Sequence, residues 1–161
     1  MPAVKDDGKT GSHELIQLVS FILADEMYGV DVLTVREIIR KPTLTKMPNT
    51  PVYVDGIINL RGKVIPIISL RRKFNLIDID DDSQTRIIVM DVNGELTGFT
   101  VDGVSEVIRI SGEEIQPPPI MTSGGLDQDS IAGVINRDDQ LIILLDLKKV
   151  FPPDVAAALI E

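Results

Sequence analysis

Two short motifs in this sequence carry residue types that bind phosphate or metal ions in other proteins. Gly8-Lys9-Thr10 resembles the end of a phosphate-binding loop, but the glycine required five residues earlier is Ala3, and no strand precedes the motif. Asp78, Asp80 and Asp82 have the spacing of the first ligands in a calcium-binding loop. That loop also needs a glycine at its sixth position and a bidentate glutamate at its twelfth, and this sequence has neither there. We therefore interpret the aspartates as a solvated acidic linker and predict no metal site.

The groups required for nucleophilic catalysis are missing or poorly placed. Cysteine is absent, which excludes a thiolate nucleophile, and the single histidine, His13, lies in a polar N-terminal segment that we predict to be disordered. A Ser-His-Asp triad needs a rigidly held histidine as its base. Ser105 follows Gly103 by two residues, but the second glycine of a nucleophile elbow is absent. The sequence therefore predicts a protein without enzymatic activity and without a cofactor.

The composition favours strands and argues against two kinds of partner. Hydrophobic residues make up 43% of the 161 positions, and most are Val, Ile and Leu, which suit strands. The net charge of −9 repels polyphosphate surfaces, so we expect neither nucleic acid nor anionic membrane as the main partner. The N-terminal residues lack an apolar segment and no apolar run approaches about 18 residues, so we expect no secretory signal, no direct membrane insertion and a cytoplasmic protein.

The elements that would carry any binding site come from a duplicated unit. Segment 56–74 returns as 133–151, 77 residues later, with GIIN and VIPIISL in the first copy matching GVIN and LIILLDL in the second. Segment 28–40 returns as 97–109, 69 residues later. Such self-similarity indicates two copies of one small unit in tandem.

Short strands separated by turn signals predict an all-β fold of two small barrels. Val54 to Leu60 and Val64 to Ile68 form one predicted hairpin, and Asn93-Gly94 marks another. Ser69 is the predicted cap of a short helix, 70–74, and Asp146 takes the same place in the second copy. We expect a disordered tail over 1–13, a first barrel over 14–80, a second over 81–152 and a C-terminal helix over 153–161. Together they form one domain, and an exchange of strands between the barrels remains open.

Polar residues that interrupt the predicted hairpins are the candidates for binding. Asn59 and its counterpart Asn136 repeat, which favours a role in the turn, whereas Arg61 is replaced by Asp138 in the second copy. Arg61 is therefore either a solvated tip or a binding residue, since arginine is favoured at interface hot spots. Glu37 lies between apolar neighbours and is either a solvent-facing charge on an alternating strand or the rim of an apolar groove.

Five segments of the chain together resemble the CheW-like family of chemotaxis coupling proteins. The resemblance covers roughly residues 14–151, and the segments are Tyr28–Val32, Val35–Ile38, Pro48–Pro51, Gly56–Ile67 and Val101–Val107. One departure is Ser69, where the family commonly has Asp, and because both residues cap helices it puts little in doubt. The resemblance implies two five-stranded SH3-like barrels with short helices, no catalysis and no cofactor.

The same resemblance implies a non-catalytic adaptor in two-component chemotaxis signalling. It would couple the cytoplasmic hairpin tip of methyl-accepting chemoreceptors to the regulatory domain of the histidine kinase CheA, in arrays at the inner face of the membrane. The valines would supply buried contact, Arg61 charge-assisted hydrogen bonds, and Gly56 close backbone approach. The implied receptor-binding residues are Val35, Glu37, Gly56, Asn59, Leu60, Arg61, Gly62, Val104 and Val107. The kinase-binding residues are expected in two turns, at Arg40, Lys41, Asn136, Arg137, Asp138 and Asp139.

One alternative comes from another functional class. A small all-β protein could instead sense a small molecule or a metal ion bound between its two halves, and an enzyme ranks third. Saturable thermal stabilisation by a cytoplasmic metabolite would favour the sensor.

Overall fold

A computed structural model describes residues 14–119 and 130–150, and it shows an almost entirely β protein. The two α-helices have only four residues each, and the described part of the chain contains no helix long enough to cross a membrane. The predicted tail and the predicted C-terminal helix fall outside the described residues. The strands are β1 (Leu15–Leu23), β2 (Glu26–Asp31), β3 (Val35–Arg40), β4 (Val54–Leu60), β5 (Lys63–Ser69), β6 (Arg86–Val92), β7 (Glu95–Val101), β8 (Gly103–Ser111), β9 (Ile115–Gln116), β10 (Ile131–Arg137) and β11 (Gln140–Leu145), and the helices are α1 (Leu70–Lys73) and α2 (Leu147–Val150).

The strands form two sheets with corresponding strand orders. Sheet A has the order β8-β1-β2-β11-β10-β9, and sheet B has the order β3-β6-β7-β5-β4. Each contains one parallel pair, β11 with β2 in sheet A and β5 with β7 in sheet B, and the other pairs are antiparallel. The all-β prediction is confirmed, and the duplication is visible in the strand order.

Sheet membership departs from a simple division near residue 80. The strands β1 and β2 lie in sheet A with β8 to β11, whereas β3, β4 and β5 lie in sheet B with β6 and β7. The reason is that four strand pairs, β1–β8, β2–β11, β3–β6 and β5–β7, each join a strand before residue 80 to one after it. Each sheet is therefore completed by strands from the other half of the chain.

Strand alternation divides the core into three apolar clusters. The largest lies between the sheets and includes Phe21, Tyr28, Phe74 and Phe99, with the rings of Phe21 and Tyr28 stacked at a centroid distance of 5.7 Å. A second cluster contains side chains of sheet B alone, and a third contains side chains of sheet A alone. Because successive residues point to opposite faces, most strands contribute side chains to the shared cluster on one face and to the cluster of their own sheet on the other.

The local turn and cap predictions are confirmed. The strand Val54–Leu60 has the predicted bounds, and the turn after it places Arg61 at φ 52° and Gly62 at φ 87°. The Asn93-Gly94 turn also has two positive φ angles, 55° and 88°. These are the backbone angles of type I′ hairpins, whose twist matches that of the flanking strands. The Ser69 side chain accepts a hydrogen bond from the first turn of α1, as a cap should.

Candidate functional site

The two edge strands of sheet B approach each other and create the first candidate surface. Thr45, in the segment after β3, forms a bridge to Ile57 of β4, with N···O distances of 3.0 and 2.8 Å. Further along the same edges, Glu37 of β3 forms an ion pair with Arg61 of the β4–β5 turn. The seam between β3 and β4 is therefore joined by backbone hydrogen bonds at one point and by a charge pair at another.

The charge pair at this seam is bidentate and open to solvent. The Nη2 of Arg61 donates to Oε1 of Glu37 at 3.0 Å, and Nη1 donates to Oε2. Hydrogen bonding by Arg61 lowers the pKa of Glu37, and the same contact raises the pKa of Arg61. The Arg61 side chain nevertheless remains 72% exposed. Arg61 is thus oriented by Glu37 and still has donors that solvent can reach. A freely solvated side chain would have the accessible donors but no partner to orient it.

Neighbouring residues fix the position of Arg61. The side-chain oxygen of Asn59 accepts a hydrogen bond from the Gly62 N–H at 2.8 Å, which closes the turn around Arg61. Leu60 is half-buried and packs against the apolar cluster of sheet B. The structure therefore brings together five of the predicted receptor-binding residues, Glu37, Asn59, Leu60, Arg61 and Gly62, which we call the seam cluster.

Gly56 is buried, and its close approach is made within the chain. Its φ is 149°, and a Cβ added there would lie 2.6 Å from the Thr45 carbonyl oxygen. A side chain at this position would therefore collide with the backbone that closes the seam. The absence of a side chain at Gly56 therefore allows the Thr45–Ile57 bridge that joins β4 to the segment after β3.

The three predicted valines are divided between the sheets. Val35 of β3 and Val104 of β8 are half-buried against the cluster between the sheets. Val107 is exposed on β8 and lines a cleft together with Arg109 and Arg137. A partner that contacts all three must touch both sheets.

The first of the two turns predicted to bind a kinase is partly engaged inside the protein. Arg40 is exposed at the end of β3, opposite Arg86 of β6. The Lys41 side chain is only 16% exposed, and its Nζ lies 3.1 Å from carboxylate oxygens of both Asp55 and Asp81. Lys41 therefore holds the acidic linker against sheet B, which leaves Arg40 as the accessible cation of this turn.

The second of these turns, between β10 and β11, is more open. Asn136, Asp138 and Asp139 are exposed, and both aspartates have positive φ angles, 51° and 65°. Arg137 donates to the backbone oxygen of Arg109 on β8 at 2.7 Å. This turn presents carboxylates where the first copy presents Arg61, so the two equivalent hairpins differ in charge.

A polar cleft of about 260 Å³ beside α1 was missed by the sequence analysis. Arg72 contacts Asp55 at 3.4 Å and Asp78 at 3.1 Å, and Arg71 forms a two-nitrogen contact with Asp102. Asp78 of the linker is therefore paired with an arginine rather than simply solvated. The only sequence signal was the pair of arginines close to an acidic run, which does not identify the partner of either arginine.

An apolar groove of about 280 Å³ between the sheets was also missed. Its lining comes from β2, the following turn, β6, β10, β11 and α2. Most of it is apolar, with charged residues also present, and it consists of Val30, Asp31, Thr34, Met90, Asp91, Val92, Ala132, Leu144, Leu145, Asp146, Leu147 and Lys148. The predicted receptor-binding residues do not line it, although Val35 directly follows Thr34. Within the described residues, no cluster of His, Cys, Asp or Glu could hold a metal ion.

The duplicated two-sheet fold, with an oriented charge pair and a groove between the sheets, defines a small all-β module built from two related halves. Comparison with known proteins identifies the kind of module. The chain belongs to the CheW-like domain family, whose model matches residues 17–153.

Individual relatives and a solved structure agree with that assignment. The chain is 34% identical over 142 residues to the chemotaxis protein CheW of Treponema pallidum, covering 86% of this chain and 83% of that protein. It is 35% identical over 144 residues to the chemotaxis protein CheW of Helicobacter pylori, covering 89% and 86%. The crystal structure of the scaffolding protein TtCheW from Thermoanaerobacter tengcongensis matches with a TM-score of 0.79 and 38% identity, covering 86% of this chain and 88% of that one.

Proposed function

We propose that this protein is a chemotaxis scaffold that couples the cytoplasmic tips of chemoreceptors to the histidine kinase CheA. The observation that carries the proposal is family membership across residues 17–153, with relatives named chemotaxis protein CheW matched over most of their own length. The protein acts without catalysis, in cytoplasmic arrays beneath the membrane.

The receptor is proposed to dock along β3, where the apolar groove and the seam cluster meet. Thr34 lines the groove, and Glu37 of the seam cluster is three residues further along the chain. At a rise of about 3.3 Å per residue, this separation is roughly 10 Å, close to the diameter of a helix. The apolar face of a receptor helix fits the groove, and its polar residues then lie within reach of Arg61.

The kinase is proposed to bind two sites on the surface, the end of β3 and the turn between β10 and β11. Arg40 and the exposed turn Asn136–Asp139 remain available there, whereas Lys41 is engaged with Asp55 and Asp81. Receptor docking along β3 leaves the turn between β10 and β11 free for the kinase, so both partners can bind at once, and Val107, which shares a cleft with Arg137, then lies on the kinase side. Signalling then requires different affinities for the on and off states of the partners, because equal affinity for both shifts no equilibrium.

The experiment is co-sedimentation with receptor-containing membranes, with and without CheA, followed by a kinase assay on the pellet. We expect Arg61→Glu to lose receptor binding, since it removes the oriented donors and places a second carboxylate beside Glu37. Lys63→Glu is the matched control, because Lys63 is exposed in the same hairpin and undergoes the same change of charge. Folded parent protein that fails to co-sediment, or an Arg61→Glu variant that binds like Lys63→Glu, would refute the proposed receptor surface.

A further inference from the structure

The chain crosses between the two sheets at two equivalent places, and the residues at these crossings differ. The first crossing leads from β2 of sheet A to β3 of sheet B through the 3₁₀ turn Val32–Thr34. The second leads from β7 of sheet B to β8 of sheet A at Asp102. The 69-residue repeat aligns Leu33 with Asp102. One crossing therefore carries an apolar side chain that is 82% exposed, and the other carries a carboxylate.

Asp102 connects elements that belong to different sheets. Its Oδ1 accepts from Nε of Arg71 at 2.9 Å, and its Oδ2 accepts from Nη2 at 2.7 Å. The same Oδ2 accepts from the backbone N–H of Ala24, in the β1–β2 turn of sheet A, at 2.8 Å. Because Arg71 lies on α1 directly after β5 of sheet B, the carboxylate is bonded to both sheets at once.

Among the residues that the structure describes, the first crossing has no equivalent ion pair. The 77-residue repeat aligns Arg71 with Lys148, and Lys148 and Thr34 both line the apolar groove. Leu33 cannot accept a hydrogen bond from a cation at that position. The two crossings thus give two related clefts of similar volume, a polar one bridged by the Arg71–Asp102 ion pair and an apolar one without such a pair.

We propose that Arg71 and Asp102 are positioning residues that bridge one of two equivalent clefts and fix the angle between the sheets, which keeps the apolar groove beside Leu33 in the shape that docks a receptor helix. Apolar contact between the sheets is non-directional, whereas a two-nitrogen arginine–carboxylate contact constrains both distance and angle. The side chains of Arg71 and Asp102 are only 15% and 20% exposed, so water competes weakly for the contact.

Backbone geometry on the sheet A side supports this role. Ala24 and Asp25 both have positive φ angles, 51° and 68°, although neither is glycine. Alanine rarely adopts this conformation without a compensating interaction. The hydrogen bond from Ala24 to Asp102 supplies one, so the turn is held against the carboxylate that also binds Arg71.

The angle between the sheets can be measured without a receptor. Because the chain has no cysteine, Gln17→Cys on β1 and Val64→Cys on β5 provide two exposed spin-label sites without background. Double electron–electron resonance should give a broadened or shifted distance distribution after Arg71→Met or Asp102→Asn. Arg71→Lys, which keeps the charge and loses the two-nitrogen contact, replaces the methionine variant if that variant does not fold.

Arg72→Met is the matched control for the distance measurement. Arg72 is the next residue on the same helix and pairs with Asp55 of β4 and Asp78 of the linker, so its ion pairs do not reach sheet A. The parental distribution should persist in this variant. Unchanged distributions in all variants, or equal broadening after Arg72→Met, would overturn the proposal.

The expected effect on receptor docking rests on the proposed function. It is tested by introducing an arginine–carboxylate pair at the first crossing. Leu33→Asp combined with Lys148→Arg places such a pair there. We expect receptor co-sedimentation to weaken about tenfold in the double variant, within the usual range of coupling between sites. It should be preserved in Leu15→Asp, which introduces the same carboxylate at an exposed leucine outside the groove. Parental binding by the folded double variant would overturn the assignment of the groove. Parent protein that does not bind receptor would refute the proposed function instead, and the spin-label distances would still decide the role of Arg71 and Asp102.

Discussion

Replacing Gly56 with alanine separates a role in the fold from a direct contact with a receptor. The added Cβ would lie 2.6 Å from the Thr45 carbonyl oxygen, which is backbone and cannot rotate away. Holding a non-glycine residue at the Gly56 φ of 149° costs on the order of 1–3 kcal/mol. Relieving the collision also weakens the two hydrogen bonds between Thr45 and Ile57, worth about 0.5–1.5 kcal/mol each. We therefore expect Gly56→Ala to lower the free energy of unfolding by roughly 2–5 kcal/mol.

Thermal unfolding followed by circular dichroism measures this loss directly. For a chain of this size, the melting temperature should fall by roughly 5–15 °C. Gly103→Ala is the control, because the nearest atoms to its added Cβ belong to Gln84 at 3.7 Å, an ordinary contact distance. That variant should stay within about 1 kcal/mol of the parent. A Gly56→Ala protein with the parental melting temperature and no receptor binding would refute this reasoning and show that Gly56 meets the receptor itself.

Three further predictions follow from the charges and turns. Exchanging the seam charges in the double variant Glu37→Arg with Arg61→Glu should restore the ion pair, because Arg61→Glu alone places two carboxylates side by side. In the parent, carbon-detected NMR should find the pKa of Glu37 lower than it is in Arg61→Gln. Burial raises the pKa of Asp102, but hydrogen bonds from Arg71 and Ala24 outweigh this effect and leave the pKa lowered. The stability that this carboxylate contributes above about pH 4 should therefore be lost as the pH falls further, and the free energy of unfolding of Asp102→Asn in urea should depend less on pH in this acid range. Asp139 has a φ of 65° where the first copy has Gly62, so Asp139→Gly should raise the free energy of unfolding by about 0.5–1 kcal/mol, and an unchanged urea midpoint would contradict this.

Local features of the fold could be predicted from the sequence because their causes are local. The hairpin Val54–Leu60 with its Arg61-Gly62 turn follows from β-branched residues on both sides of a glycine. Sheet membership could not be predicted, because the parallel pairing of β2 with β11 depends on packing between distant parts of the chain.

The candidate site was predictable only in part for the same reason. The sequence left Arg61 as either a solvated tip or a binding residue, and it gave no sign of the contact with Glu37, 24 residues away. The contact between Arg71 and Asp102 spans 31 residues and also had no sequence signal. Ion pairs across a fold depend on how the sheets are arranged, so charge patterning alone cannot assign them.

Duplication alone would give this module two equivalent clefts, and an adaptor needs them to differ. If both crossings kept the same residues, a receptor helix could dock on either side and the kinase surface would face two directions. Equal affinity for two orientations gives no preference between them, so specificity requires a difference in free energy between the clefts. Asp102 against Leu33 and Arg71 against Lys148 supply this difference at the crossings, and Arg61 against Asp138 supplies it at the hairpin tips. The residues that repeat form the sheets and turns, and in the proposed function the residues that do not repeat distinguish the binding side of the module.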